Sequence, residues 1–192
     1  MLSRKDNAGG SIPPIGLAPD LEGASPEQMR LIELMTAGPR GSVPLPFLAM
    51  MDAPLLAEAI QQVGAVLRFS SSLGDADREV AILATAGAVG CGYEWNYHRP
   101  IAVAAGVDAT VIAATRPDAA IDGNQLSQPA MAIIALCRAV AASGAAPADL
   151  LADMVAQLDR KRATELIAIA GYYALLANFI KSAGFDEPFP SD

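Results

Sequence analysis

Apolar residues recur at intervals of three and four along most of the chain, which predicts amphipathic helices. Eight helices follow from this pattern and its breaks, over residues 25–38, 54–69, 75–89, 93–105, 108–114, 127–143, 147–158 and 161–183. No segment shows the two-residue alternation with β-branched side chains that a strand needs. The predicted fold is therefore an all-α bundle in a single domain.

The clearest start signal belongs to the first helix. Ser25 is a good N-cap, Pro26 suits the first helical position, Gln28 completes a capping box, and Gly38 marks the end. Before it, residues 1–24 are rich in Gly and Pro and are predicted to form an irregular arm, so the domain proper covers residues 25–192. After it, prolines predict a loop up to the second helix.

Composition narrows the possible partners. The 192 residues carry a net charge of −8, are 53% hydrophobic and only 18% charged, and contain no basic run. This balance argues against binding to nucleic acid or to anionic membranes. The excess of apolar residues is consistent with a homo-oligomer.

The apolar segments indicate the cellular location of the protein. The longest uncharged apolar run, Leu166 to Ile180, has 15 residues and is short for a membrane span. The N-terminal residues lack the apolar core of a secretory signal. We therefore expect a cytoplasmic protein that does not associate with membranes. Two cysteines do not make a disulfide framework.

The chemistry concentrates in the segment CGYEWNYH, residues 91–98, which contains the only histidine. Cys91, Glu94, Trp95 and His98 follow the spacing 0, 3, 4, 7, so all four are expected on one helix face. Glu94 lies one turn before His98 and can orient and charge its imidazole. Backbone N–H groups at a helix start would lower the pKa of Cys91.

A second carboxylate is predicted to join this group. Glu79 lies along the apolar face of the preceding helix, where a carboxylate needs a partner. The link between the two helices, around Gly90–Gly92, is short enough for a hairpin that brings Glu79 towards Glu94 and His98. Clustered titratable groups in an apolar setting are candidates for catalysis. Tyr93 and Trp95 are predicted to form the wall of the substrate pocket.

The segment REVAILATAGAVGCGYEWNYHRPIAVAAGV closely resembles the core of the carboxymuconolactone decarboxylase / AhpD-like superfamily. The flanks DAPLLAEAIQQVGAVLRFSSSL and ELIAIAGYYALLANFI agree, so the resemblance covers roughly residues 40–183. It implies an AhpD-like helical bundle that assembles as a dimer, trimer or hexamer. It also implies chemistry without a cofactor.

AhpD-type peroxidases of this superfamily use a glutamate, a CxxC pair and a histidine. On this chain these positions fall on Glu79, on Cys91 and Glu94, and on His98. Because Glu94 replaces the second thiol, a dithiol cycle lacks the group that resolves the mixed disulfide. The negative charge of Glu94 would also raise the pKa of Cys91. Cys137 could act as a resolving thiol only if the fold brings it close.

Three functions remain open. The first is a lyase resembling the decarboxylase branch, in which His98 moves a proton on a small carboxylated lactone or keto acid while Glu79 and Glu94 set its protonation. The second is a peroxidase that uses Cys91 alone. The third is a family fold without catalytic activity. A metal site is not expected from one histidine and one cysteine, and no glycine loop indicates a nucleotide cofactor.

Overall fold

A computed structural model describes residues 13–38, 41–121 and 126–191 of the chain. Within these ranges there is no strand, and nine helices are formed: α1 (Pro26–Ala37), α2 (Leu45–Leu48), α3 (Pro54–Phe69), α4 (Asp75–Ala88), α5 (Gly92–Ala104), α6 (Ala109–Ala114), α7 (Gln128–Ser143), α8 (Ala148–Gln157) and α9 (Arg160–Ala183). The all-α class is confirmed, and each of the eight predicted helices is present.

The predicted irregular arm is described only in part. Its residues 1–12 lie outside the described residues, as do 39–40 of the predicted loop. Residues 13–24 contain turns and no helix. They are held to the bundle by a hydrogen bond from the Gly16 N–H to Asp52 Oδ2 (2.7 Å) and by the buried Leu17.

The additional helix, α2, corrects the prediction of a loop after α1. Pro44 occupies its N-cap position and Pro46 lies in its first turn. The backbone N–H that proline lacks has no partner in a first turn, so these prolines are compatible with the start of a helix. Phe47 and Met51 are fully buried, and they hold this short segment against the bundle.

The centre of the fold is α4, which packs against α5, α7 and α9. Every residue from Glu79 to Gly87 is buried. Several of them are small, and this lets neighbouring backbones approach closely. A Cβ atom on Gly87 would lie 1.9 Å from the backbone oxygen of Thr115, so only glycine fits there.

The predicted hairpin of α4 and α5 is confirmed. α4 ends at Ala88 and α5 begins at Gly92. Gly90, in the link, has a φ of 61°, a left-handed conformation that favours glycine. This tight reversal lays α5 along α4, so the first half of α4 faces the middle of α5.

The 24-residue α9 is long and apolar enough to cross a membrane by length and composition alone. Half of its apolar window is buried inside the fold, and the helix packs against α4 and α7. Leu166, Ile169 and Tyr173 are among its buried residues. After α9, the C-terminal segment (residues 185–191) returns across the beginning of α5.

Glu165 joins α9 to the loop between α3 and α4. Its Oε2 accepts hydrogen bonds from Ser71 Oγ (2.7 Å), Ser72 N (2.9 Å) and Ser72 Oγ (2.9 Å). Burial raises the pKa of Glu165, but the bonds from Ser71 and Ser72 lower it by more, and the net shift is downward. The ionised carboxylate therefore stabilises the fold.

We expect Glu165→Gln to lower the free energy of unfolding at pH 7 by about 1 kcal/mol, because the charged acceptor is lost. The folded-state pKa lies below the unfolded one, so this contribution is present above the unfolded pKa and is lost as pH falls through the folded pKa. Urea unfolding at pH 7 and pH 3 measures the difference. Glu33→Gln, at an exposed position, is the control. An equal effect of Glu165→Gln at both pH values would contradict this account.

Candidate active site

Three buried side chains form a line across α4 and α5. His98 Nδ1 lies 2.7 Å from Glu79 Oε2, and His98 Nε2 lies 3.6 Å from Glu94 Oε2. All three are at most 3% exposed. The hairpin supplies the first contact, and the four-residue spacing of Glu94 and His98 on α5 supplies the second. The structure thus brings together the three predicted acid–base groups.

The line fixes the imidazole. A carboxylate oxygen accepts hydrogen bonds, so Nδ1 donates to Glu79 and Nε2 is directed to the side of Glu94. The ring is also held by aromatic edges, with the Tyr173 ring centroid at 5.2 Å and the Tyr97 centroid at 5.3 Å. His98 therefore presents one defined nitrogen to its surroundings.

Arg78 balances the charge on the far side of Glu79. Its Nε lies 3.7 Å from Glu79 Oε1, and its Nη2 lies 2.9 Å from Asp75 Oδ1. Burial of Glu79 without a cation would be costly. Glu79 was predicted to lie on the apolar face of its helix, and it is buried there. Arg78 lies beside its carboxylate.

Glu94 and His98 border a small cavity, while Glu79 lies behind it. The cavity is lined by Pro44, Pro46, Phe47, Arg68, Tyr93, Glu94, Tyr97, His98, Tyr172, Tyr173 and Leu176. Its free volume is about 20 Å³, enough for about one water molecule. Most of the wall is aromatic or apolar, so charges inside it interact strongly.

Tyr93 lines this cavity, where the sequence analysis placed it. Its hydroxyl accepts a hydrogen bond from the Leu45 N–H at 3.4 Å, which links α5 to the start of α2. Burial is the main cause that raises the pKa of Tyr93 to about 12. Tyr93 therefore stays protonated at neutral pH and serves as a wall and a hydrogen-bonding group.

Cys91 does not line the cavity, contrary to the prediction of a shared face. It is the N-cap of α5, so its backbone is not helical and the helical spacing does not set its direction. Its side chain is fully buried in a cluster with Ala177 and Ile180. Its Sγ donates to Asp186 Oδ1 at 3.6 Å.

The pKa of Cys91 is raised to about 12, mainly by burial. The backbone N–H of Glu94 acts in the opposite direction, as the sequence analysis expected of a helix start, but its effect is smaller. The charges of Asp186 and Glu94 add to the increase. A thiol with this pKa is a poor nucleophile at neutral pH.

Trp95, predicted as pocket wall, lies outside this cavity. Its side chain projects about 100° around the helix from Glu94. The indole Nε1 donates to Thr115 Oγ1 at 3.0 Å inside a cluster with Leu83 and Ile112. It borders a separate groove of about 550 Å³, whose wall also includes Arg99 and Arg116.

Several residues of the cavity wall were not predicted from the sequence, above all Arg68, Tyr172 and Tyr173. Arg68 comes from the last turn of α3 and the tyrosines from α9. The sequence signals were a lone cation at the end of the apolar helix α3 and a tyrosine pair in an apolar helix. Neither signal indicates a site until the packing of α3 and α9 around α5 is known.

The remaining candidate groups lie elsewhere. Cys137 is fully buried in the main core, and burial raises its pKa to about 12. Both cysteines are free thiols. Within the part of the chain that the structure describes, no cluster of three His, Cys, Asp or Glu side chains is arranged to hold a metal ion.

Comparison with known proteins agrees with the resemblance seen in the sequence. The family model described as "Carboxymuconolactone decarboxylase family" matches residues 54–146, which span α3 to α7. No protein with a curated description is significantly similar in sequence to this chain. The match includes Glu79, Glu94 and His98 and leaves α9, with its two tyrosines, outside. The motif, the helical fold and this match agree: residues 54–146 match the carboxymuconolactone decarboxylase family.

Proposed function

We propose that the protein is a cofactor-independent lyase that decarboxylates a small carboxylated lactone or keto acid. The observation that carries the proposal is the line Glu79–His98–Glu94, of which only His98 and Glu94 border the cavity. A histidine held between two carboxylates is stabilised as the imidazolium, which is a proton donor. The family match supports a decarboxylase-like or AhpD-like activity.

Decarboxylation leaves an electron pair that the substrate must accommodate, and it consumes one proton. The C–C bond to the substrate carboxylate breaks and releases CO₂, and its electron pair enters the enolate of the neighbouring carbonyl. His98 Nε2, as the imidazolium, then donates a proton to the enolate carbon, and a proton from water restores it. The net change is the substrate carboxylate plus one proton giving the protonated product and CO₂.

The two glutamates have different parts in this proposal. Glu79 lies behind the ring, donates nothing to the cavity and fixes the tautomer, so we consider it a positioning residue. Glu94 lies on the cavity wall and repels a carboxylate held near His98. Loss of that carboxylate as neutral CO₂ relieves the repulsion, and the apolar walls strengthen this effect.

A substrate can enter only if the wall moves. The free volume of about 20 Å³ is smaller than any organic acid. Of the wall residues, Tyr97 is the easiest to displace, because it is already 39% exposed to solvent. Binding therefore begins with an outward movement of Tyr97 and its neighbours.

The thiol of Cys91 supports this proposal over a one-cysteine peroxidase. It is buried, hydrogen-bonded to Asp186, and has a pKa of about 12. A peroxidatic cysteine needs a thiolate that peroxide can reach. We further propose a cytoplasmic homo-oligomer that acts on small molecules, from the net charge of −8 and the excess of apolar residues.

We expect His98→Gln to lower kcat for CO₂ release from 3-oxoglutarate or acetoacetate by about a hundredfold or more, because glutamine cannot donate the proton. Arg99→Gln changes an exposed side chain elsewhere on α5 and should leave kcat unchanged. Undiminished activity in His98→Gln would rule out this site. Absence of turnover in the wild type with β-keto acids and carboxylated lactones would favour a family member without this activity.

Glu79→Gln tests the positioning role through pH. Without the carboxylate behind the ring, the imidazolium is less stable, so kcat should begin to fall at a lower pH than in the wild type. The measurement is the pH profile of kcat for both proteins. A purely structural role for Glu79 would lower kcat equally at every pH and leave the profile unmoved.

Cys91 should be dispensable and unreactive. We expect Cys91→Ser to keep kcat within about twofold, since serine can also donate to Asp186. In a Cys137→Ala background, iodoacetamide at pH 8 should modify Cys91 about a thousandfold more slowly than free cysteine, because a thiol of pKa about 12 is almost entirely protonated. The same protein unfolded in urea is the control and should react at the rate of free cysteine. Rapid alkylation with hydrogen peroxide consumption would instead identify a peroxidase.

A further inference from the structure

Among the residues that the structure describes, Arg68 is the only lysine or arginine on the wall of the cavity that Glu94 and His98 border. It lies in the last turn of α3 and is half-buried. Four tyrosines and a phenylalanine contribute to the same wall. A guanidinium group in such surroundings interacts strongly with any anion that enters.

The charge of Arg68 is not matched by a carboxylate. Arg30, Arg78 and Arg162 each form an ion pair with an acidic side chain. Over residues 13–38, 41–121 and 126–191, no such ion pair is formed by Arg68. Burial lowers the pKa of Arg68, and nearby Tyr173, Tyr97 and Glu79 raise it by more, so the guanidinium is charged.

Two structural reasons for an arginine at this position are insufficient. A cation at the C-terminus of α3 interacts favourably with the helix dipole, and its guanidinium carbon lies 5.6 Å from the centre of the Phe69 ring. Both would also be satisfied by a side chain directed wholly into solvent. Neither explains a cation on the wall of the aromatic cavity that Glu94 and His98 border.

We propose that Arg68 binds a second carboxylate of the substrate, one that the reaction retains. This inference rests on the proposed function for the reacting end of the substrate. The two charged residues of the wall have opposite effects, since Arg68 attracts a carboxylate and Glu94 repels one. A dicarboxylate therefore binds in one orientation, and the carboxylate beside Glu94 and His98 is the one released as CO₂. Arg68 is thus the residue that determines which carboxylate leaves.

Binding without turnover tests Arg68 independently of catalysis. Glutarate has two carboxylates and no carbonyl beside the carbon that bears them, so it cannot decarboxylate. By calorimetry we expect glutarate to bind the wild type, Arg68→Gln to weaken binding by about ten- to a hundredfold, and Arg68→Lys to have an intermediate effect because it keeps the charge and loses the planar fork. Arg99→Gln is the matched control. Equal affinity of wild type and Arg68→Gln, or no binding of glutarate, succinate or adipate to the wild type, would overturn the proposal.

Turnover then tests the choice of carboxylate. 3-Oxoglutarate keeps one carboxylate after losing CO₂, whereas acetoacetate keeps none. Arg68→Gln should raise KM for 3-oxoglutarate about tenfold or more and leave kcat/KM for acetoacetate within about twofold. An equal loss with both substrates would contradict the assignment. If the wild type turns over neither substrate, the proposed function fails, while the glutarate measurement still decides whether Arg68 binds the anion.

Discussion

The hydrogen bond between Glu79 and His98 crosses from α4 to α5 and holds two ionisable groups away from water. Such a pair is stable only where both partners stay together, and removing one from a buried pair typically costs about 3–5 kcal/mol. The small residues of α4 and the left-handed turn at Gly90 allow the two helices to approach closely enough for the bond. Arg78 compensates the remaining charge on Glu79. Dense packing and acid–base geometry are therefore consequences of the same hairpin.

Local sequence signals were sufficient to predict the longer helices, because capping residues, glycines and prolines affect the backbone only within a few positions. The capping box at Ser25 and Gln28 is formed in the structure, and Gly144 and Gly184 end α7 and α9 in left-handed conformations. The one-turn α2 was missed because a four-residue segment gives no periodic pattern. Its Phe47 depends on tertiary packing for its position.

The site was predictable only where sequence neighbours define it. Glu79, Glu94 and His98 are related by a short hairpin and by a single turn of helix. The wall formed by Arg68 and Tyr173 requires α3 and α9, which are separated by about a hundred residues along the chain. Trp95 lies outside the cavity because one face of a helix is broader than a small cavity. Cys91 lies outside it because an N-cap residue does not follow helical spacing.

The C-terminal segment holds the first turn of α5. Asp186 Oδ1 accepts from the Tyr93 N–H at 3.1 Å, and Glu187 Oε1 accepts from Asn96 Nδ2 at 2.9 Å. A Cβ atom on Gly92 would lie 1.9 Å from the backbone oxygen of Glu187, so the glycine permits this close contact. The helix that carries Glu94 and His98 is thus fixed by packing on α4 and by a segment more than ninety residues away in sequence.

The bond from Cys91 to Asp186 also bears on what a dithiol site would require in this fold. Replacing Glu94 with cysteine would restore the CxxC spacing in a single step. The first thiol would still be buried against Ala177 and Ile180 and still face the carboxylate of Asp186. Burial and Asp186 would therefore keep the pKa of that thiol raised until the C-terminal segment also changed. A comparison of the motif alone would not connect these two regions of the chain.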